Sequence, residues 1–370
     1  MIIRSVFVII ATLLFPAIGI AAAADMKIHA KDTLYAGSLF RKAMDFDREA
    51  VYDSAVFYYQ SAGREYLKKR SFKKYLECSN RIISAKINAG YNEGLIREAK
   101  ENIAFSIDKF GEKSSATGEC YFKLGNIYLE ERKLDSALIW FKKSLDIYKN
   151  PNTADNIAVA DIYRGIGIIQ SNRGLFDSAR KNIERSIDIR KNYFMAEDGN
   201  FASDYNALGS IAYHLGRYDS CEYYFGRVAR IRENTSGKFH PLTAEAYNNL
   251  GVLFMEKAMW DTAMILHRKA YEIRLVRLPP NHKDIALSLN NLANVYMAMG
   301  DNETALSHHR KALDIRLALH GSEDHTDIAM SYTNIGVLLR ETGRYREGLD
   351  YFRAALEILL RTLGEDAGTI

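Results

Sequence analysis

The sequence predicts an all-α fold in which helical hairpins stack one after another along the chain. Two observations carry this prediction. Small residues recur at steps of 42 or 43 residues, and the 370-residue chain contains only five prolines. A period of this length indicates an array of packed repeats, and few prolines favour long helices. The recurring small residues, called anchors below, are Gly125, Gly167, Gly209, Gly251, Ala293 and Gly336.

The stretch from Tyr247 to Ala270 shows the repeating unit most clearly. Leu250, Gly251 and Phe254 follow Tyr247 by three, four and seven residues, which is the apolar stripe of one helix. A polar break and a second apolar run follow, so the stretch is predicted to form a helical hairpin. Mostly small residues recur 12 positions after the anchors, at Ala137, Ala179, Cys221, Ala263, Ala305 and Gly348, and 19 positions after them, at Ser144, Ser186, Val228, Ala270, Ala312 and Ala355. We expect paired helices to approach closely there, where a larger side chain would overpack the interface.

The motif Leu250-Gly251, with an aromatic residue three positions later and alanines on the second helix, resembles the tetratricopeptide repeat. That family usually has a period of about 34 residues. Here the additional residues fall in links such as 239–241 and 280–283, and with the pairs Asn248-Asn249 and Asn290-Asn291 the longer unit is similar to the kinesin light chain subtype. The resemblance implies a right-handed α-solenoid of about eight hairpins.

Three segments are expected along the chain. Residues 1–24 have an apolar run followed by four alanines, which indicates a secretory signal cleaved near Ala23 or Ala24. Residues 25–112 are expected to hold two degenerate hairpins, and residues 113–370 six regular repeats. The mature protein is therefore expected to be secreted or periplasmic. If the first segment is not cleaved, it would tether the same repeats to a membrane.

Charge and cysteine content argue against two classes of protein. The sequence has 50 Lys and Arg residues and 46 Asp and Glu residues, and acidic residues stand near each run of basic residues. Because a nucleic-acid-binding protein concentrates basic residues on one face, we expect no nucleic-acid partner. Cys78, Cys120 and Cys221 cannot all pair, and Cys221 stands at a packing position. A disulfide framework is therefore not expected.

An Asp recurs at the start of the second helix of several units, in the tripeptide Asp-Ser-Ala or Asp-Thr-Ala. We interpret it as a helix cap, in which the carboxylate accepts hydrogen bonds from free backbone N–H groups. The residues are Asp53, Asp135, Asp177 and Asp261, with Asp219 before a cysteine variant of the tripeptide. The alternative, which the sequence leaves open, is that these tripeptides are acceptors for bacterial O-glycosylation.

No catalytic or metal site is predicted. His240, His282 and His325 stand about one repeat apart on successive links, too far from one another to bind one zinc ion. His308 and His309 are adjacent on one predicted helix and therefore point in different directions. The sequence has no Gly-x-Ser-x-Gly elbow, no phosphate loop and no His-Glu-x-x-His pair. We therefore expect no enzymatic activity and no cofactor.

Amides and adaptable apolar residues recur on the first helix of each unit, at positions that line the concave face in the family it resembles. An amide carries both donors and an acceptor, so a row of amides can pair with the backbone of an extended peptide. Methionine supplies adaptable apolar contact. The candidate binding residues are Asn206, Tyr213, Asn248, Asn249, Met255, Asn290, Asn291, Asn294, Met297, Asn334 and Arg340. The alternative is that the asparagines bond neighbouring helices and contact no ligand.

The leading hypothesis is an exported scaffold that binds a protein or peptide in a concave groove and has no catalytic activity. The alternative is the regulatory part of a longer protein, with a caspase-like peptidase or a sensor kinase beyond Ile370. Similar exported repeats precede such domains in bacterial chains. Sequence beyond Ile370 would separate the two hypotheses.

Overall fold

The computed structural model describes residues 34–91, 93–152, 154–321 and 325–363. These residues form sixteen α-helices and a short 3-10 turn at Gly199–Phe201, with no strand, which confirms the predicted all-α fold. The helices are α1 (34–48), α2 (Tyr52–Lys68), α3 (Phe72–Asn88), α4 (Leu95–Phe110), α5 (Ser115–Glu130), α6 (Leu134–Tyr148), α7 (Asn156–Asn172), α8 (Phe176–Arg190), α9 (Ala202–His214), α10 (Tyr218–Thr235), α11 (Pro241–Glu256), α12 (Trp260–Arg277), α13 (Lys283–Ala298), α14 (Asn302–His320), α15 (Thr326–Glu341) and α16 (Tyr345–Leu363).

Consecutive helices pack as hairpins, and successive hairpins stack. α7 packs along α8, and the same pairing joins α9 to α10, α11 to α12, α13 to α14 and α15 to α16. The second helix of a hairpin then packs on the first helix of the next, as α10 does on α11. Near the N-terminus, α3 packs more extensively on α2 than on α4, so the second repeat departs from the regular hairpin.

The chain divides into two compact units. The first unit ends at Leu124 and excludes the turn Ala89–Tyr91. The second unit consists of that turn and the residues from Gly125 onward. The predicted secretory signal, residues 1–24, lies outside the residues that the structure describes. Within the described ranges, no helix is both long and apolar enough to cross a membrane.

The anchor glycines lie where the two helices of a hairpin touch. A Cβ atom added at Gly209 would lie 2.5 Å from the ring of Phe225, and one at Gly251 would lie 2.7 Å from the ring of His267. Carbon atoms do not approach this closely in a packed interior, so a larger residue would force the helices apart. Ala263 and Ala270 on the second helix are fully buried. The prediction of close helix approach at small residues is confirmed.

Two histidines pack in the core at positions where other hairpins have phenylalanine. His267 and His309 correspond in phase to Phe225 and Phe352, and they are 1% and 2% exposed. Burial lowers the pKa of each imidazole to about 4. Both rings are therefore neutral at neutral pH and fill the space of an aromatic side chain.

The prediction that the recurring Asp residues cap the second helices is wrong. Helices α2, α6, α8, α10 and α12 begin one residue before the Asp, and their N-cap residues make no side-chain hydrogen bond. The Asp residues at the second helical position are Asp53, Asp135, Asp177, Asp219 and Asp261. There the backbone is already helical, so the carboxylate acts through its charge at the positive end of the helix dipole. Side-chain caps occur elsewhere, at Asp155 on α7 and Asp301 on α14.

The link histidines cap the first helices of three successive hairpins. His240, His282 and His325 are the N-cap residues of α11, α13 and α15. In each case Nδ1 accepts a hydrogen bond of 3.1 Å from the backbone N–H two residues later. An accepting Nδ1 carries no proton, so the ring is held as the Nε2–H tautomer. Their regular spacing therefore follows from a structural role that recurs at the start of each helix.

Candidate functional site

Asparagine side chains of successive first helices are joined by hydrogen bonds across the repeat boundaries. In each bond, the amide nitrogen of one repeat donates to the amide oxygen of the repeat before it. The pairs are Asn249 to Asn206 at 2.8 Å, Asn291 to Asn248 at 2.9 Å, and Asn334 to Asn290 at 2.6 Å. These six residues, called the amide ladder below, lie on α9, α11, α13 and α15.

The donating members of the amide ladder keep unused hydrogen-bonding groups. Asn248 and Asn290 are 5% and 9% exposed, whereas Asn249, Asn291 and Asn334 are only half-buried. Among the described residues, each of these three makes the ladder bond and no further side-chain hydrogen bond. One N–H and the Oδ1 atom of each amide therefore stay available, which is the donor and acceptor set that a peptide backbone matches.

The amide ladder has features of both interpretations of the sequence. The asparagines bond neighbouring helices, as the alternative expects. Half of them also retain the donor and acceptor that the groove hypothesis requires. Contact with a ligand therefore stays a prediction, and it concerns Asn249, Asn291 and Asn334 more than their buried acceptors.

Three further candidates lie on the same helices outside the amide ladder. Asn294 and Met297 on α13 and Met255 on α11 are half-buried. Asn294 makes no side-chain hydrogen bond within the part of the chain that the structure describes. Its amide is therefore free of the inter-helix role that the ladder residues have, which makes it a clean position for testing ligand contact.

The last two candidates make polar contacts of their own. Tyr213 on α9 donates its hydroxyl to Oε1 of Glu256 on α11 at 2.9 Å, across one repeat boundary. Burial and this hydrogen bond raise the pKa of Tyr213, so its hydroxyl remains protonated. Arg340 on α15 is exposed and lies 2.9 Å from Glu341. Tyr213 thus couples two repeats, whereas Arg340 remains open to solvent.

A column of arginines was missed in the sequence analysis. Its members, Arg190, Arg232, Arg274 and Arg316, stand 42 residues apart near the ends of α8, α10, α12 and α14. Arg274 donates to Ser288 Oγ at 2.8 Å, and Arg316 donates to Ser331 Oγ at 2.6 Å, each on the first helix of the next repeat. The sequence contained a signal for this column. An arginine that recurs every 42 residues, at the same place in each repeat as buried residues, is expected to be buried as well.

The first member of the arginine column is neutralised by two carboxylates. Arg190, which is 2% exposed, places Nε 2.8 Å from Asp204 Oδ2 and Nη2 2.5 Å from Asp161 Oδ1. Asp204 is fully buried and also accepts from Ser186 Oγ at 2.8 Å. Burial raises the pKa of Asp204, while Arg164 and Arg190 oppose that rise. This satisfied cluster ties α7, α8 and α9 together.

Glu245 on α11 continues the amide ladder with a negative charge. Its Oε1 atom accepts from Asn206 Nδ2 at 3.3 Å. The side chain is exposed, yet desolvation by the surrounding protein raises the pKa of its carboxyl, with Arg232 opposing and Asp284 reinforcing the rise. Among the described residues Glu245 forms no direct ion pair, and Arg232 is the cation that acts on its charge most strongly.

One cluster on a link has the residue types of a metal site. His320, His325 and Asp327 place one ligand atom each within 4.8 Å of one another. The two imidazole rings are stacked, with centroids 3.4 Å apart and planes 13° apart, so their nitrogen lone pairs run side by side and do not converge. His325 Nδ1 already caps α15, and His320 Nε2 lies 3.5 Å from Asp327 Oδ2. We interpret the cluster as a packed link in which His325 caps α15, whereas His320 Nε2 is buried without a hydrogen-bond partner among the described residues.

Comparison with protein families and with curated sequences gave two results. Tetratricopeptide repeat family models match residues 201–275 and 284–361, and residues 118–151. No curated protein sequence matches the chain.

Solved structures that match this chain include the following three. The APC/C hetero-tetramer Cut9–Hcn1 has a TM-score of 0.61 at 16% identity, covering 86% of this chain and 52% of that chain. The Rap protein complexed with competence and sporulation factor has a TM-score of 0.59 at 10% identity, covering 90% and 99%. Repeats of a putative kinesin light chain from Podosopora anserina have a TM-score of 0.48 at 17% identity, covering 56% and 98%. At these identities, the first two likenesses concern the fold alone.

Proposed function

We propose that this chain, which contains tetratricopeptide repeats, is an exported and non-catalytic scaffold that binds an extended peptide or protein segment along the amide ladder. The observation that carries the proposal is the unused N–H and Oδ1 of Asn249, Asn291 and Asn334. The Rap protein named above, whose fold is similar, was solved with competence and sporulation factor bound.

The amide ladder offers binding groups that are already oriented. Each donating asparagine is fixed by its bond to the previous repeat, so little side-chain entropy remains to be lost on binding. Hydrogen bonds to a peptide backbone require no particular sequence, which suits a scaffold with more than one ligand. Met255 and Met297 lie on the same helices and supply apolar contact that adapts to different side chains.

Glu245 extends the proposal to the charge of the ligand. Its carboxylate accepts a hydrogen bond from Asn206 of the amide ladder, and the charge of Arg232 acts on it without a direct ion pair among the described residues. A lysine or arginine side chain, or a free amino terminus, would neutralise it at that point. We therefore expect bound segments to carry a cation near the end of the ladder formed by α9 and α11.

The central test is a peptide selected from a random display library on the purified protein. Asn294→Ala should change the free energy of unfolding by no more than about 0.5 kcal/mol, because the side chain makes no bond within the described protein. It should weaken binding of the selected peptide by about tenfold, or roughly 1.4 kcal/mol. Lys311→Ala on the exposed side of α14 is the matched control. Equal affinity of both variants and the parent protein would contradict binding at this face.

Export rests on the sequence of residues 1–24 and is tested separately. Amino-terminal sequencing of the protein from its native cells should begin at or near Ala24 or Asp25, and the protein should be found outside the cytoplasm. An intact Met1 in a cytoplasmic fraction would contradict export without affecting the binding proposal.

A further inference from the structure

One ion pair joins parts of the chain that are far apart in the sequence. Lys283, the first residue of α13, donates to Oε2 of Glu130, the last residue of α5, at 3.3 Å. These two residues are 153 positions apart, whereas the hydrogen bonds of the amide ladder join residues 43 or 44 positions apart. A repeat in a solenoid normally contacts only its neighbours. The chain between the end of α5 and the start of α13 therefore returns to itself.

A ring contact closes the same turn of the chain beside this ion pair. His282 is 3% exposed, and its imidazole lies against Gly90. A Cβ atom added at Gly90 would lie 3.1 Å from His282 Cδ2. Gly90 stands in the turn Ala89–Tyr91, which belongs to the same compact unit as α13. The ion pair of Lys283 with Glu130 and the contact of His282 with Gly90 are together called the clasp below.

The clasp lies close to Glu245 of the candidate site. Burial raises the pKa of the Glu245 carboxyl, and charges on four other helices act on it as well, those of Arg232, Asp284, Arg274 and Glu130. Charges in solvent are largely screened beyond a distance of about 10 Å. Because Glu130 ends α5 and Asp284 lies at the start of α13, Glu245 faces the place where the clasp joins these two helices.

The contacts of the clasp are few, so the clasp can open without unfolding the repeats. Lys283 and Glu130 are 38% and 48% exposed, and an ion pair between exposed side chains contributes little free energy. The other contact is a single ring on the backbone of a glycine. The hairpins on either side are held by their own packed helices, which the clasp does not touch. A region with few buried contacts opens well below the free energy of global unfolding.

We propose that the clasp opens and closes, and that a peptide enters and leaves the part of the groove beside Glu245 while the clasp is open. This inference rests on the proposed peptide binding and adds the step that limits exchange of the ligand. An open form that is populated at roughly 0.1 to 10% is typical of such two-state elements and is sufficient for exchange. Closing after entry would then retain the bound segment.

Carbodiimide coupling tests whether the clasp forms in the unmodified protein. The reagent joins an amine to a carboxylate in contact with it, so Lys283 and Glu130 should become linked within one chain, as mass spectrometry of the digested monomer would show. The ion pair of Lys257 with Glu222, at 2.6 Å, is the matched reference because it joins neighbouring repeats and does not depend on the clasp. A protein that carries this reference link and no link between Lys283 and Glu130 would overturn the proposal.

A larger residue at position 90 should open the clasp. Gly90→Leu forces a side chain against the His282 ring, so the Lys283–Glu130 link should form in at least about fivefold lower yield relative to the reference link. Gly300→Leu is the matched control, because φ is +82° at Gly90 and +85° at Gly300, and no atom lies within 4 Å of a Cβ added at Gly300. Equal yields in the two variants would show that the ring contact does not hold the clasp.

A covalent lock tests whether the clasp limits ligand exchange. Glu130→Cys with Lys283→Cys, joined by a short bismaleimide, holds the clasp shut, and the three native cysteines are buried. Locking before the display-selected peptide is added should slow its association, and locking afterwards should slow its dissociation, each at least about tenfold. Glu222→Cys with Lys257→Cys, joined in the same way, is the control and should change neither rate.

Failure of the gate and failure of the proposed function give different results. Unchanged association and dissociation rates in the locked protein would overturn the gate and leave peptide binding intact. A parent protein that selects no peptide would contradict the proposed function and, with it, the gating of a peptide. The yield of the link between Lys283 and Glu130 would still decide whether the clasp forms.

Discussion

His309 Nδ1 lies 3.1 Å from Asn290 Oδ1, the same oxygen that accepts the Asn334 amide N–H at 2.6 Å. An amide oxygen only accepts hydrogen bonds, so the His309 proton resides on Nδ1. This is the opposite tautomer to that of the link histidines, whose Nδ1 atoms accept. The buried His309 ring on α14 therefore donates a hydrogen bond to a member of the amide ladder. The protonation state of this ring affects both the stability of the fold and the candidate site.

Acid should destabilise the repeats through the two buried histidines. Burial lowers the pKa of His267 and His309 from 6.5 to about 4, so the unfolded chain takes up protons before the folded one. Each group then contributes stability that is complete above the unfolded pKa and is lost as the pH falls towards the folded pKa. The loss for each amounts to roughly 3 kcal/mol.

His267→Phe isolates one of these contributions. Phe225 packs on Gly209 as His267 packs on Gly251, so the larger ring has a precedent at this position. Urea unfolding at neutral pH and at about pH 4.5 should show a smaller loss of stability in the variant than in the parent protein. An unchanged difference between the two pH values would contradict a buried neutral imidazole at position 267.

Enlarging the small residues should separate the paired helices α11 and α12. Ala263 and Ala270 are fully buried on α12, so a leucine at either position has no space. Ala263→Leu and Ala270→Leu should each lower the free energy of unfolding by roughly 1 to 3 kcal/mol. Lys311→Ala, an exposed change on α14, is the control. If thermal melts show Ala263→Leu and Ala270→Leu to be no less stable than Lys311→Ala, the hairpin assignment is wrong.

The sequence predicted the hairpins well because their signal is a spacing that repeats. Helix starts were harder to predict, since a helix capped by Asp261 would begin two residues later than the observed helix, in which Asp261 is the second residue. The backbone decided this at Met259, whose φ of −91° and ψ of 64° make it the N-cap. For the amide ladder, the sequence predicted the positions of Asn249 and Asn291. It did not predict which atom of each amide forms the hydrogen bond to the previous repeat. Arg274 was overlooked because pattern analysis assigns charged residues to the surface.

The two kinds of Asp at helix starts should respond differently to substitution. Asp301 accepts from the Thr304 backbone N–H at 3.1 Å, so Asp301→Ala should lower the free energy of unfolding and Asp301→Asn should lower it much less. Asp261 has only its charge at the helix end, so Asp261→Ala and Asp261→Asn should both cost about 0.3 to 1 kcal/mol. Chemical unfolding of the four variants in low salt measures the difference. If Asp261→Asn retains the stability that Asp261→Ala loses, a hydrogen bond is present after all.

The arginine column should show the cost of an uncompensated buried charge. Asp204→Ala removes one of two carboxylates from Arg190 and also leaves Ser186 without its acceptor, so it should lower the free energy of unfolding by roughly 3 kcal/mol or more. Asp161→Ala, at the more exposed end of the cluster, should cost less. Arg190→Met combined with Asp204→Leu removes both charges and should recover most of the loss, because well-packed apolar residues replace a buried ion pair at little cost.

A double-mutant cycle on Arg190 and Asp204 measures their coupling by urea unfolding of the parent, both single variants and the pair. A coupling of at least about 1 kcal/mol is expected, since the two groups are fully buried and 2.8 Å apart. Ser288→Ala is the comparison, because Arg274 there loses a neutral partner and keeps its bond to the Asp284 carbonyl oxygen. That change should cost less than Asp204→Ala. If Asp204→Ala and Ser288→Ala cost the same, the Asp204 carboxylate stabilises the arginine column no more than the Ser288 hydroxyl does. The buried charge of Arg190 would then be tolerated without its carboxylate as well as the charge of Arg274 is tolerated without its hydroxyl.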